Sequence, residues 1–125
     1  MKKKSNILVQ LSNTGISRVI LNEPSTYNAL SLNTLKSLIE CFEKLHNDEK
    51  TKVIIIEGGG KGFSAGHNLK EINLLKGKPD YKNLFILCSK LMMIIVNNNK
   101  PVIAKVHGAA YAAGCQLVAS CDLAI

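Results

Sequence analysis

The sequence has no tryptophan, and Arg18 is the only arginine among its sixteen basic residues. Aromatic residues make up 5% of the chain. Nucleic-acid surfaces rely on clustered cations, arginine forks and aromatic stacking platforms. The lysines here are scattered and no helix collects them on one face, so no nucleic-acid partner is expected. No apolar run approaches the ~18 residues that cross a bilayer, so no membrane span is expected. The segment Met1-Lys2-Lys3-Lys4-Ser5-Asn6 is basic. It lacks the apolar stretch of a secretory signal and the arginine-rich pattern of a mitochondrial transit peptide. The expectation is a cytoplasmic chain, or a mitochondrial one that has lost a transit segment. Cys41, Cys88, Cys115 and Cys121 show no C-x-x-C spacing, so no metal site is expected. Each lies among small or apolar residues, which points to buried, reduced thiols.

What is present suits one globular domain, residues 1–125. Hydrophobic residues reach 46%, and 125 residues suffice for a core. The net charge of +7 is a lysine-rich surface, which would also attract a polyanionic small molecule.

Ile7–Leu11 and Ile16–Leu21 are β-rich runs around Ser12-Asn13-Thr14-Gly15, a hairpin pattern. Glu23-Pro24-Ser25 marks a turn. Ser31 can cap a helix with apolar positions at Leu32, Leu35, Leu38, Ile39, Phe42 and Leu45. Val53–Ile56 is an uninterrupted β-branched run, the pattern of a strand buried on both faces. A glycine-rich loop, Gly58–Gly62, follows. A short helix is expected at Leu69–Leu75, ending near Gly77 and Pro79. Leu84–Val96 reads as a helix apolar around most of its circumference and therefore largely buried. Pro101–Val106 is the next strand, Ala110–Ser120 a small-residue helix, and Cys121–Ile125 begins another strand. This order, ββα–β–α–α–β–α–β, predicts a layered α/β fold with a mostly parallel sheet. An apolar strand at the end of the sequence, with no helix following, suggests a truncated product or a need for a partner.

Three motifs compete for the chemistry. Gly62-Phe63-Ser64-Ala65-Gly66 has the G-x-S-x-G pattern of a nucleophile elbow, and Ser64, Asp80 and His107 follow in triad order. An elbow needs a strand running straight into its first glycine, and here a loop intervenes. Gly60–Ala65 matches the dinucleotide pattern G-x-G-x-x-A, with Asp80 about 20 residues on. That pattern normally follows a first strand, and here a hairpin and a helix precede it. The third reading takes two clusters of small residues together: Phe63-Ser64-Ala65-Gly66-His67-Asn68-Leu69, and His107 to Asp122. Each follows an apolar run and precedes a helix. Such turns let backbone N–H groups approach a ligand closely, and two of them could aim two donors at one oxygen.

With Asn28-Ala29-Leu30-Ser31 as a third ordered match, residues 20–125 resemble the enoyl-CoA hydratase/isomerase (crotonase) superfamily. His107–Asp122 is most similar to its hydratase domain-containing members. The resemblance implies the ClpP/crotonase fold, a spiral of ββα units, truncated here to its N-terminal part. It implies acyl-CoA as partner, with the coenzyme A thioester as substrate, no separate cofactor and no metal, and a place in fatty-acid metabolism. It places the oxyanion-hole amides at His67 and Ala113, the second aided by a helix dipole. It places Ala29, Leu30, Ser64 and Ala65 along the coenzyme A adenine pocket. Hydratases of the family carry a glutamate where this chain has Gln116, and a second one in the half of the fold beyond this sequence. An amide cannot take a proton at neutral pH, so either a hydratase/isomerase-type enzyme or a catalytically inactive acyl-CoA-binding or regulatory protein is expected. Asn68 stands at a family aspartate position. The imidazole of His67 could serve as a base; structural or solvent-facing roles are expected for His46, His67 and His107. Family members form trimers or hexamers, through elements expected in the missing half.

Overall fold

The computed structural model describes residues 4–125, so Met1-Lys2-Lys3 of the basic N-terminal segment lies outside the described residues. The hairpin is formed by β1 (Ile7–Leu11) and β2 (Ile16–Leu21), antiparallel in the register Ile7 opposite Leu21. A 3₁₀ turn, Pro24–Thr26, leads towards α1 (Leu32–Asn47). Then come β3 (Val53–Gly58), a one-turn α2 (Leu69–Ile72), α3 (Lys78–Val96), β4 (Val102–Lys105), α4 (Ala113–Ala119) and β5 (Leu123–Ala124). The sheet runs β1-β2-β3-β4-β5, and every pair after the hairpin is parallel. The expected α/β layering and element order are therefore present.

The core lies on one face of the sheet. Val19, Leu21, Ile54, Ile56, Val102 and Ala104 are buried there against α1 and α3. The alternate residues Arg18, Ile20, Val53, Ile55 and Ile103 are only half-buried. The both-face burial expected of Val53–Ile56 is thus a correction: a β-branched run favours a strand but does not say what covers its second side. Arg18 on that second side makes a forked pair with Glu57, at 3.2 and 2.5 Å.

α1 follows its stripe. Leu35, Leu38, Ile39, Phe42 and Leu45 are buried, and Ser31 Oγ accepts from the Thr34 amide at 3.1 Å. A second acceptor reaches the same helix end from outside: Glu71 Oε1 takes the Leu32 amide at 2.7 Å. At the other end, Lys100 Nζ donates to the carbonyls of Leu45, His46 and Asp48.

α3 departs from expectation twice. It starts at Lys78, six residues before Leu84, because Pro79 sits in its first turn, where proline costs no hydrogen bond. Only Leu84, Cys88, Leu91, Met92 and Ile95 are buried; Phe85, Ile86, Met93 and Val96 are exposed. Apolar composition all round did not mean burial all round. The other corrections are shorter elements: Leu69–Ile72 for Leu69–Leu75, Val102–Lys105 for Pro101–Val106, Ala113–Ala119 for Ala110–Ser120, and Leu123–Ala124 within Cys121–Ile125. The thiols divide as well. Cys41 and Cys88 are buried, Cys121 is half-buried and Cys115 is exposed.

Candidate functional site: two turns held side by side

The first turn leaves β3 through Gly58 and is organised from behind by Asn28. Tyr27 and Asn28 both take left-handed backbone, φ 52° and 54°, a conformation asparagine tolerates better than most residues. This places the buried Asn28 amide against the loop. Its Nδ2 donates to the carbonyls of Gly59, Gly62 and Phe63 at 2.8, 3.0 and 3.1 Å, and its Oδ1 accepts from the Glu23 amide at 3.0 Å.

The second turn is stitched to the first. The amides of Phe63 and Ser64 donate to Ala109 O at 2.9 and 3.1 Å, and the Tyr111 amide returns a bond to Ser64 O at 3.0 Å. Ser64 and Ala110 form a parallel bridge, as do Leu30 and His67. The contact is close because it is made by glycine. A Cβ on Gly66 would lie 2.8 Å from Tyr111 O and 3.1 Å from the Ala113 nitrogen, and one on Gly114 would lie 2.9 Å from Ser64 Cβ.

The amides of His67 and Ala113 find no hydrogen-bond acceptor among the described residues. The peptide bonds before them explain how each points. Gly66 O accepts from the Leu30 amide at 2.7 Å, and Ala112 O accepts from the Gln116 amide at 3.0 Å. In a planar trans peptide, N–H and C=O point in opposite directions, so each carbonyl is committed to the fold and each amide is turned away from that bond. Ala112 pays a conformational penalty for this, with φ 49° and ψ −119°, a backbone region that costs a residue with a Cβ about 1–3 kcal/mol. α4 has only seven residues, so the local amide matters more here than any macrodipole.

The side chains sort themselves around this pair. The His67 ring meets Phe85 edge-on at 5.6 Å, and its buried Nδ1 has no partner among the described residues. Asn68 Oδ1 caps α2 through the Glu71 amide at 3.2 Å. Gln116 is exposed on α4. Of the residues expected along the adenine pocket, Ala65 is exposed, while Ala29, Leu30 and Ser64 are buried. His46 Nδ1 accepts from the Asn99 amide at 3.4 Å, and His107 Nε2 lies 2.7 Å from Gly60 O. The elbow pattern forms no triad. Ser64 Oγ donates to Asn28 O at 2.8 Å, Asp80 accepts from the Lys76 amide at 3.0 Å, and His107 is held by Gly60. A groove of about 500 Å³ opens between β1 and α1, but its lining, including Val9, Cys41 and Leu45, contains neither turn.

Three roles go beyond what the sequence assigns: the Asn28 hub, the Glu71 cap on α1 and the Lys100 clasp. Only Asn28 carried a signal, since asparagine next to a tight turn is a frequent left-handed residue.

Residues 12–125 match the enoyl-CoA hydratase/isomerase family profile. The enoyl-CoA hydratase domain-containing protein 3 of Xenopus laevis, named as mitochondrial, is 49% identical over 111 residues, 89% of this chain and 38% of that protein. The crystal structure of an enoyl-CoA hydratase from Mycobacterium smegmatis superposes with a TM-score of 0.94 at 42% identity, covering 97% of this chain and 47% of that one. The human hydratase domain-containing protein 3 superposes at 0.90 with 44% identity, over 96% and 47%. This chain therefore spans less than half the length of each of these three relatives. Among the described residues, no helix is long and apolar enough to cross a membrane.

Proposed function

Because the chain belongs to the enoyl-CoA hydratase/isomerase family, we propose that it recognises an acyl-CoA thioester through the amides of His67 and Ala113. One observation carries this reading: two amides without acceptors, on turns that hydrogen-bond to each other, each turned away from a committed carbonyl. Donors set in that way stabilise an oxygen as negative charge develops on it, each contributing about 3 kcal/mol in a dry site. A thioester enolate is such an oxygen. Ala65 and the backbone near Ala29 and Leu30 would meet the coenzyme A end, and the lysine-rich surface favours its phosphates.

Water addition is not part of the reading. It needs a base for the water and an acid for the α-carbon, and Gln116 supplies neither. The proposed role is thioester binding with enolate stabilisation, in fatty-acid metabolism. A second reading, an acyl-CoA-binding or regulatory protein without turnover, is favoured by the same glutamine.

Competition binding tests the proposal. A butyryl-CoA thioester should bind more tightly than butyrate, and equal affinities would sink it. Ala113→Pro removes one donor at a helix position that accepts proline. With helix content intact by circular dichroism, thioester affinity should fall roughly fivefold, the worth of about one neutral hydrogen bond.

A further inference from the structure

Ser64 fell among the residues expected to line the coenzyme A pocket, but its side chain is fully buried. The hydroxyl faces inwards and is used twice. Oγ donates to Asn28 O at 2.8 Å and accepts from the Gly66 amide at 3.2 Å. The backbone of the same residue bonds to Ala109 O and Tyr111 N in the second turn. Ser64 thus touches the hub behind the first turn, the peptide just before the His67 donor, and the turn leading to the Ala113 donor.

We propose that Ser64 is the positioning residue of the amide pair, a role that rests on the proposed thioester recognition and specifies how its geometry is held. The Gly66 amide is fixed by Ser64 Oγ, and the Gly66 carbonyl by the Leu30 amide at 2.7 Å. Tethered on both sides, Gly66 is restrained, and the rigid peptide after it sets the direction of the His67 N–H. Without the hydroxyl, Gly66 at φ 87° keeps only one of these tethers, and glycine is the residue freest to swing. The spacing of the two donors would then blur while the coenzyme A contacts, made elsewhere, survive.

The test needs a readout that reports donor geometry, not binding alone. With butyryl-CoA carrying ¹³C at the thioester carbonyl, donation from two amides should move the bound carbonyl resonance downfield of the free one. Ser64→Ala, saturated with the ligand, should lose at least half of that displacement. Ser64→Cys keeps the volume with a weaker donor and acceptor, and should fall between the two. A wild-type displacement in a folded Ser64→Ala overturns the proposal. If Ser64→Ala does not fold, Ser64→Cys decides: an intermediate displacement supports the role and a wild-type one overturns it. Loss of fold in both variants would make Ser64 a core residue only, and also overturns it. No displacement in the unmodified chain would instead remove thioester recognition itself, and this inference with it.

Discussion

Gly66 has no room for a side chain. At φ 87°, with a Cβ position 2.8 Å from Tyr111 O, alanine would be strained and would also push the two turns apart. Gly66→Ala should cost about 1–3 kcal/mol and weaken thioester binding in the same variant, as read by urea unfolding and titration. Stability loss with unchanged binding would separate the turn contact from the site. The sequence showed this position as one of several small residues, and ligand access was the evident reason for them. The turn-to-turn contact was not legible, because the partner is backbone about 45 residues away and leaves no side-chain signature. The thiols teach a similar lesson. Burial pushes Cys41 up to about 11 and Cys121 up to about 12, and Cys88 upwards as well. For Cys41, Lys44 opposes the shift, and for Cys121, Asp122 adds to it. The thiolate is the reactive form, so iodoacetamide at neutral pH should label the exposed Cys115 at least tenfold faster than the other three. Equal rates at all four would contradict this burial pattern. Most of residues 110–120 are small, so periodicity could not reveal which side of α4 faces outwards.

Among the elements, α1 was legible in its start and its buried stripe, though not in the Glu71 and Lys100 contacts at its two ends. Its apolar stripe recurs with helical spacing and its start carries a serine cap. α3 was legible only in its existence. Gly77 and Pro79 look like a stop signal, yet glycine and proline at a helix start produce the same pair of letters. Its buried side was not legible because continuous apolar character has no preferred side. Phe85, Ile86, Met93 and Val96 remain exposed, and such patches favour association. At tens of micromolar the chain should sediment above its monomer mass. Met93→Lys combined with Val96→Lys should return it to monomer, and an unchanged sedimentation profile would rule this surface out. The Lys100 clasp is another contribution at this scale. One ammonium serves three carbonyls at the α1 C-terminus, where a cation also meets the favourable end of the helix. Lys100→Met should cost about 1–2 kcal/mol in urea unfolding, with the site untouched.

For the molecule as a whole, chemistry follows from which acidic side chains are free. Glu71 is committed to the Leu32 amide and Glu57 to Arg18, while Asn68 and Gln116 are amides. The chain should show no crotonyl-CoA hydration in the ~1–10³ s⁻¹ range common to enzymes. Gln116→Glu should stay below that range, since it restores one group of the two needed; turnover within it would mean that the acid–base pair lies elsewhere. The family and its fold were readable because three short motifs occur in one order across the chain, which chance rarely supplies. The coupling of the site to the core was not readable, and it has a consequence of its own. The Gly66–His67 peptide is a plate with two ends: its oxygen bonds to Leu30 inside the fold, and its N–H has no acceptor among the described residues. Drawing charge from one end of a peptide strengthens the bond at the other. A thioester bound at His67 should therefore slow hydrogen–deuterium exchange at the Leu30 amide beyond the general protection that any ligand confers. A contact at one edge of this peptide would be recorded at its opposite edge.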